Sequence, residues 1–158
     1  EFLMRFLVWL LVHSIYRLEK KGLDNIPGAG AAILVANHPT FIDALVIAAG
    51  CPRLARYVMD HQRFNTPVLN MIFRETRSIP IASAKDDPKV LEAAYDEIAR
   101  GLAQGDLICI FPEGRVTDDG EIKAFRNGIK RIIDRTPVPV IPIGLRGLWG
   151  SFFGKAGR

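Results

Sequence analysis

Ala31-Ala32-Ile33-Leu34-Val35-Ala36-Asn37-His38-Pro39 is the stretch that decides the fold. Ala31 to Ala36 is a short, unbroken apolar run, the pattern of a strand covered on both faces rather than one with a wet side. Pro39 has a fixed φ and lacks an N–H, which suits the first position of a helix, so a helix is expected over Pro39 to Ala49 with Gly50 as its stop. A buried strand that feeds directly into a helix is the opening half of a strand-helix-strand crossover.

Outward from this unit the alternation continues. Leu54 to Met59 reads as a second strand, Phe64 to Glu75 as a mixed helical segment, and Ser78 to Ala82 as a short strand that Pro80 assigns to an edge or an irregularity. Pro88 opens a helix in which Leu91, Ala94, Tyr95, Ile98 and Leu102 recur at three- and four-residue spacings, and Gly105 closes it. Asp106 to Phe111 is the clearest buried strand. A polar loop runs to Gly120, a basic helix is expected over Ile122 to Asp134, and Val138 to Leu145 forms the last strand. The implied class is α/β, with a largely parallel or mixed central sheet covered by helices. On the amino-terminal side, Gly22 to Gly30 is a connection, and Phe2 to Leu18 is a hydrophobic helix followed by Lys20 and Lys21. That helix is marginal as a bilayer span, which needs about 20 apolar residues. Trp9, Tyr16 and the basic cluster suit a membrane-interfacial helix, with an ordinary helix buried on its own domain as the alternative, and the chain divides into residues 1–21 and one folded domain over 22–158.

Composition bounds the function. A chain of 158 residues with 49% hydrophobic and 24% charged residues fits one core. Cys51 and Cys109 are the only cysteines, and Cys109 lies in the apolar run Leu107-Ile108-Cys109-Ile110-Phe111, so neither a disulfide scaffold nor a cysteine metal site is expected. The net charge of +4 and pI of about 9.3 favour anionic partners. The basic residues Lys123, Arg126, Lys130, Arg131 and Arg135 fit anionic headgroups or a solvated helix face equally well. No nucleic-acid-binding motif accompanies the charge, so no nucleic-acid partner is expected.

Two constellations carry chemistry. His38 stands where a strand hands over to a helix, the edge at which α/β sheets collect ligands, and Asp43 follows five residues on. A histidine folded back onto that carboxylate would have its tautomer fixed and its other ring nitrogen free to take a proton from a hydroxyl. Spacing alone also fits a capped helix with Asp43 complementing the helix dipole. Glu113, Gly114 and Arg115 follow the buried strand Asp106 to Phe111 and belong on the same edge, with a guanidinium suited to phosphate, though a strand-to-loop turn with solvated charges fits them too. The chain has no Gly-x-Ser-x-Gly elbow, no His-Glu-x-x-His and no phosphate-binding Gly-rich loop. Attack by the substrate's own hydroxyl is therefore simpler than an acyl-enzyme.

Asn37-His38-Pro39-Thr40-Phe41-Ile42-Asp43, Phe111-Pro112-Glu113-Gly114 and Val138-Pro139-Val140-Ile141-Pro142-Ile143 resemble, in order and spacing, the first, third and fourth blocks of the glycerolipid (1-acylglycerol-3-phosphate type) acyltransferases. The resemblance runs from about Asn25 to Phe153. It implies that His38 is a general base paired to Asp43. It implies further that Asn37, Thr40, Phe41, Arg77, Glu113, Gly114 and Arg115 contact substrate. The acceptor would be a lysophospholipid or glycerol phosphate and the donor co-substrate acyl-CoA or acyl-carrier protein, with no metal or bound cofactor, at a membrane surface on its cytoplasmic face. Two departures stand out. Gly114-Arg115-Val116-Thr117 replaces the usual Gly-Thr-Arg-Ser, moving the arginine one place earlier. Ile79-Pro80-Ile81 fits the second block, but Ala82-Ser83 follows where an arginine is common, leaving Arg77 as the substitute. Gly114-Arg115 and Leu148-Trp149-Gly150-Ser151-Phe152-Phe153 are similar to the acyltransferase part of bifunctional 2-acylglycerophosphoethanolamine acyltransferase/acyl-carrier-protein synthetases, which implies a piece of a longer chain. The alternatives on the same scaffold are a non-catalytic lipid- or phosphate-binding module and a lipid ester hydrolase.

Overall fold

The computed structural model describes residues 2–65 and 73–154. Among these, β1 (Ala32–Ala36), β2 (Ala55–Asp60), β3 (Ile79–Ile81), β4 (Leu107–Ile110) and β5 (Val140–Ile143) form one sheet in the order β3-β2-β4-β1-β5. Every pairing is parallel. The helices are α1 (Phe2–Ile15), α2 (Asp43–Gly50), α3 (Pro88–Ala103) and α4 (Gly128–Arg135), with 3-10 turns at Leu23–Asn25 and His61–Asn65.

The continuous apolar runs are explained by cover on both faces of the sheet. Leu34 pairs in register with Cys109, and both pack with Tyr57, Ile47 and Cys51 on the α2 side. Ile33 pairs with Ile108, and both pack on the other side against Ala94, Tyr95, Ile98 and Leu102 of α3 and Ile132 of α4. Ile33, Leu34 and Ile108 are fully buried, and each such side chain contributes roughly 1.5–3 kcal/mol of transfer free energy. Cys51 and Cys109 are free and buried as small hydrophobes. Burial pushes both thiols above their ordinary range.

The anticipated devices appear at the ends of α3. The Asp87 carboxylate accepts from the N–H groups of Lys89 at 3.0 Å and Val90 at 3.1 Å, and Pro88 occupies the first turn. Gly105 follows the helix with φ 85°, a left-handed conformation that glycine adopts without strain. β3 is an edge strand, where Pro80 removes no ladder hydrogen bond from the sheet interior.

The strands shift by one or two residues at their ends, and three helix boundaries move further. α1 ends at Ile15 rather than Leu18, and α2 starts at Asp43 rather than Pro39. Residues 39–42 turn instead, because Thr40 makes an isolated bridge to Gly154 and donates its N–H to Asp43. The expected helix over Ile122 to Asp134 shortens to Gly128–Arg135. The N–H groups of Lys123 and Arg126 donate to Glu113 and to the Pro112 carbonyl, partners a helical ladder could not share. Most of the helical segment expected over Phe64 to Glu75 lies outside the described residues.

α1 packs one stripe inward, with Val12 buried among Val46, Ala49 and Leu148. Leu3, Phe6, Leu7, Trp9, Leu10, Leu11 and Ile15 remain 44–67% exposed. No helix among the described residues is long and apolar enough to cross a membrane.

Candidate active site

The sheet order brings the three sequence blocks together. β1 lies between β4 and β5, so the chain leaving β1 at Asn37 and His38 runs beside Phe111 to Gly114 on one flank and Leu145 on the other. All three segments emerge at the carboxyl edge of a parallel sheet.

His38 Nδ1 lies 2.8 Å from Asp43 Oδ2. An ionised carboxylate only accepts, so Nδ1 carries the hydrogen and the neutral ring presents its lone pair at Nε2. Asp43 is fully buried, and Thr40, also fully buried, satisfies it from the other side. The Thr40 N–H donates to Oδ2 at 2.9 Å, and its hydroxyl donates to Oδ1 in a short hydrogen bond. Asp43 therefore reaches back to a residue three earlier while also receiving the histidine. The capped-helix reading is not met, because Ile42 stands at the start of α2 and no side chain caps it.

The imidazole is further fixed by stacking on Phe111, with ring centroids 4.2 Å apart and planes inclined by 21°. Its side chain is 20% exposed. The His38 main chain is clamped as well, its N–H donating to Glu113 Oε1 at 2.8 Å and its carbonyl accepting from the Thr117 N–H at 3.0 Å.

Glu113 is only 4% exposed. Its second oxygen, Oε2, accepts from the Lys123 N–H at 2.9 Å. Both oxygens thus hold main-chain amides of two separate segments, so the carboxylate organises the site from beneath. Asn37 is committed in the same way. Its amide donates to the Leu145 carbonyl at 3.0 Å and accepts from the Leu145 N–H at 2.7 Å, which ties the exit of β1 to the exit of β5.

The remaining expected residues separate. Phe41 lies at this edge, with the Arg63 guanidinium 5.5 Å above its ring. Gly114 has φ 71°, and Arg115, 62% exposed, stands 3.7 Å from Asp118. Arg77 is not brought to the site. It precedes β3 and therefore sits at the amino edge, where it is 3.6 Å from Asp106 and its carbonyl accepts from the buried Arg56. Arg56 also pairs there with Glu97 and Asp106.

Sequence reasoning assigned no site role to Phe111, Thr117 or the main chain of Leu145. Their roles depend on β1 lying between β4 and β5, and strand order carries no local signal. Among the described residues no three His, Cys, Asp or Glu side chains gather as metal ligands. The titratable side chains at this edge include the His38–Asp43 pair and the Glu113 carboxylate. With Nε2 turned outward, the pair can accept a proton from a hydroxyl at the sheet edge.

The chain is similar to known acyltransferases over most of its length. The chain is 23% identical over 148 residues to the chloroplastic 1-acyl-sn-glycerol-3-phosphate acyltransferase of Arabidopsis thaliana, covering 93% of this chain and 41% of that one. It is 24% identical over 144 residues to the 1-acyl-sn-glycerol-3-phosphate acyltransferase of Cocos nucifera, covering 90% and 44%. It thus spans roughly two fifths of the length of these relatives. The crystal structure of the 1-acyl-sn-glycerophosphate acyltransferase of Thermotoga maritima superposes with a TM-score of 0.69 at 25% identity, over 82% of this chain and 50% of that one. The family model described as Acyltransferase matches residues 17–146, which include every strand and the His38–Asp43 pair, and the chain belongs to that acyltransferase family.

Proposed function

We propose that the chain transfers a fatty-acyl group from a thioester donor, acyl-CoA or acyl-carrier protein, to a free hydroxyl of 1-acylglycerol 3-phosphate or a related lysophospholipid. The observation that carries this reading is the buried Asp43 carboxylate on His38 Nδ1 at 2.8 Å, which leaves Nε2 as a base facing the carboxyl edge. The acceptor oxygen attacks the thioester carbonyl carbon while Nε2 takes its proton. Collapse of the tetrahedral intermediate breaks the C–S bond, and the imidazolium returns the proton to the departing thiolate. Asp43 stabilises the imidazolium in between and holds the tautomer. The products are an ester and a free thiol, and no residue of the chain is acylated.

The acceptor's charge has a counterpart at the same edge. Arg63 lies over Phe41, Arg115 and Arg126 flank the Glu113 segment, and Arg146 follows the Leu145 that Asn37 holds. Acceptor and donor chains are both lipid-like. The exposed apolar face of α1, with Trp9 upon it, suits a position in the interface of a membrane, on the cytoplasmic side where thioester donors are made.

The test is incubation of the chain with radiolabelled acyl thioester and 1-acylglycerol 3-phosphate, followed by identification of the labelled product. Diacyl product is expected, and His38→Ala should lower its rate by about 10²-fold or more. Free fatty acid as the main product would make the chain a hydrolase, and ligand binding without turnover would make it a binding module. Retained activity in His38→Ala would remove the base.

A further inference from the structure

We propose that Arg126, and not Arg115, binds the phosphate of the acceptor; the assignment rests on the acceptor reading given above. Most basic side chains of the 123–135 segment are already matched within the chain. Lys123 pairs with Asp119, Lys130 with Asp134, Arg131 with Glu92 and Arg135 with Asp96. Arg126 alone of that set has no carboxylate partner among the described residues.

Arg126 is nevertheless held in place. Its N–H donates to the Pro112 carbonyl at 2.9 Å, and three residues earlier the Lys123 N–H is fixed to Glu113 Oε2, also at 2.9 Å. Its side chain folds back across Gly114. An alanine Cβ built at Gly114 would stand 2.5 Å from Arg126 Nε and 2.7 Å from Cζ. Gly114 is thus glycine for two reasons, its φ of 71° and the guanidinium against its Cα. The residue before it, Glu113, holds the His38 N–H at 2.8 Å, so the glycine under the guanidinium is next in sequence to the clamp on the base.

A phosphate is best met by a guanidinium's planar fork whose donors are not occupied by a carboxylate and whose stem is already ordered. Arg126 meets the first condition, and although its side chain is exposed like that of Arg115, its main chain is fixed on the Pro112 carbonyl and its guanidinium lies over Gly114. Arg115, the arginine that the sequence placed in this role, is directed to Asp118 and is 62% exposed. The arginine displaced from its usual place after Pro112-Glu113-Gly114 is therefore replaced from a different segment, by a side chain returning over the same glycine.

The test compares the wild-type chain with Arg126→Ala, Arg126→Lys, Arg115→Ala and, as a control on α4, Arg131→Ala. Turnover is measured with 1-acylglycerol 3-phosphate, and binding of glycerol 3-phosphate is measured by calorimetry. Thermal unfolding confirms that each variant is folded. Losing charged hydrogen bonds to a phosphate predicts that Arg126→Ala raises the acceptor KM about tenfold to a hundredfold with kcat within about threefold, and abolishes glycerol 3-phosphate binding. Arg126→Lys recovers part of the loss, and Arg131→Ala leaves the acceptor KM within about twofold. An unchanged acceptor KM in Arg126→Ala, or a larger KM effect from Arg115→Ala, overturns the assignment. If the wild-type chain forms no diacyl product, the acyltransferase reading fails by itself. Binding then decides the role of Arg126: loss of glycerol 3-phosphate binding in Arg126→Ala upholds it, and equal binding, or none by the wild type, overturns it.

Discussion

Replacing Glu113 by glutamine tests whether this residue binds substrate or builds the site. The carboxylate is 4% exposed, and its two oxygens accept from the His38 N–H at 2.8 Å and the Lys123 N–H at 2.9 Å. Glutamine has the same shape but only one accepting atom, so its NH2 must face one of these amides. One buried donor is then left unmet, and the surviving hydrogen bond loses its charge. An unmet buried donor costs about 1–3 kcal/mol, and hydrogen bonds to charged groups contribute about 1.5–3 kcal/mol, so a loss of about 2–3 kcal/mol is expected. At about 2–4 °C per kcal/mol for a chain of this size, the melting temperature should fall by roughly 5–10 °C. Because Glu113 ties the His38 main chain to the 123 segment, weakening this clamp should displace the base slightly and lower kcat by about 10- to 100-fold. The side chain is 4% exposed and both oxygens already hold main-chain amides, so the KM for 1-acylglycerol 3-phosphate should remain within about threefold. Calorimetric melting and steady-state kinetics on the same preparation check both numbers. A tenfold rise in acceptor KM with unchanged kcat and melting temperature would refute the reasoning and return Glu113 to the acceptor.

Asp43→Asn removes the acceptor that fixes the His38 tautomer, and kcat should drop by about 10²- to 10⁴-fold with little change in acceptor KM; equal kcat would separate Asp43 from the base. Thr40→Val takes a buried hydroxyl from Asp43 and should cost about 1–3 kcal/mol of stability by denaturant unfolding, while Thr40→Ser retains most of it. Gly101→Ala would place a Cβ 2.8 Å from Arg56 and 3.0 Å from Asp106, so it should lower the melting temperature by disturbing the amino-edge ion pairs, yet leave kcat/KM unchanged once the protein is folded. Asp119 is held down to a pKa of about 2, first by Lys123, then by the Glu121 N–H and the Thr117 hydroxyl. A depressed carboxylate stabilises its loop above the usual carboxylate range and loses that contribution as pH falls from about 4 towards 2, so Asp119→Asn should flatten any acid-induced change in amide exchange of residues 117–123 across that window.

The parts that were legible from sequence are those with local causes. β1 announced itself as an apolar run, α3 by its spacing and its Asp87-Pro88 start, and His38 with Asp43 by lying where a strand meets a helix. The loss of helix over 122–127 has a tertiary cause, since the amides of Lys123 and Arg126 find acceptors on the loop after β4. Arg77 was misplaced for a reason that sheet polarity could have corrected. In a parallel sheet, residues that follow a strand gather at the carboxyl edge and residues that precede one gather at the other, and Arg77 precedes β3.

Burial sharpens this into a division of roles among the residues that the sequence blocks place together. Asn37, Thr40 and Glu113 were each expected at the substrate, yet each spends its polar atoms inside the protein, on Leu145, on Asp43, and on His38 and Lys123. A side chain whose donors and acceptors are met by the chain can bind a ligand only by giving up those bonds, which costs about what the ligand would return. Groups at the sheet edge with polar capacity left are a different set, to which Arg63 and Arg146 also belong. Nε2 of His38 is held outward by Asp43 and Phe111, and the guanidinium of Arg126 is laid over Gly114 with no carboxylate partner among the described residues. Loss of an organising residue should therefore appear in kcat and stability together, and loss of an outward group in one kinetic constant without the other.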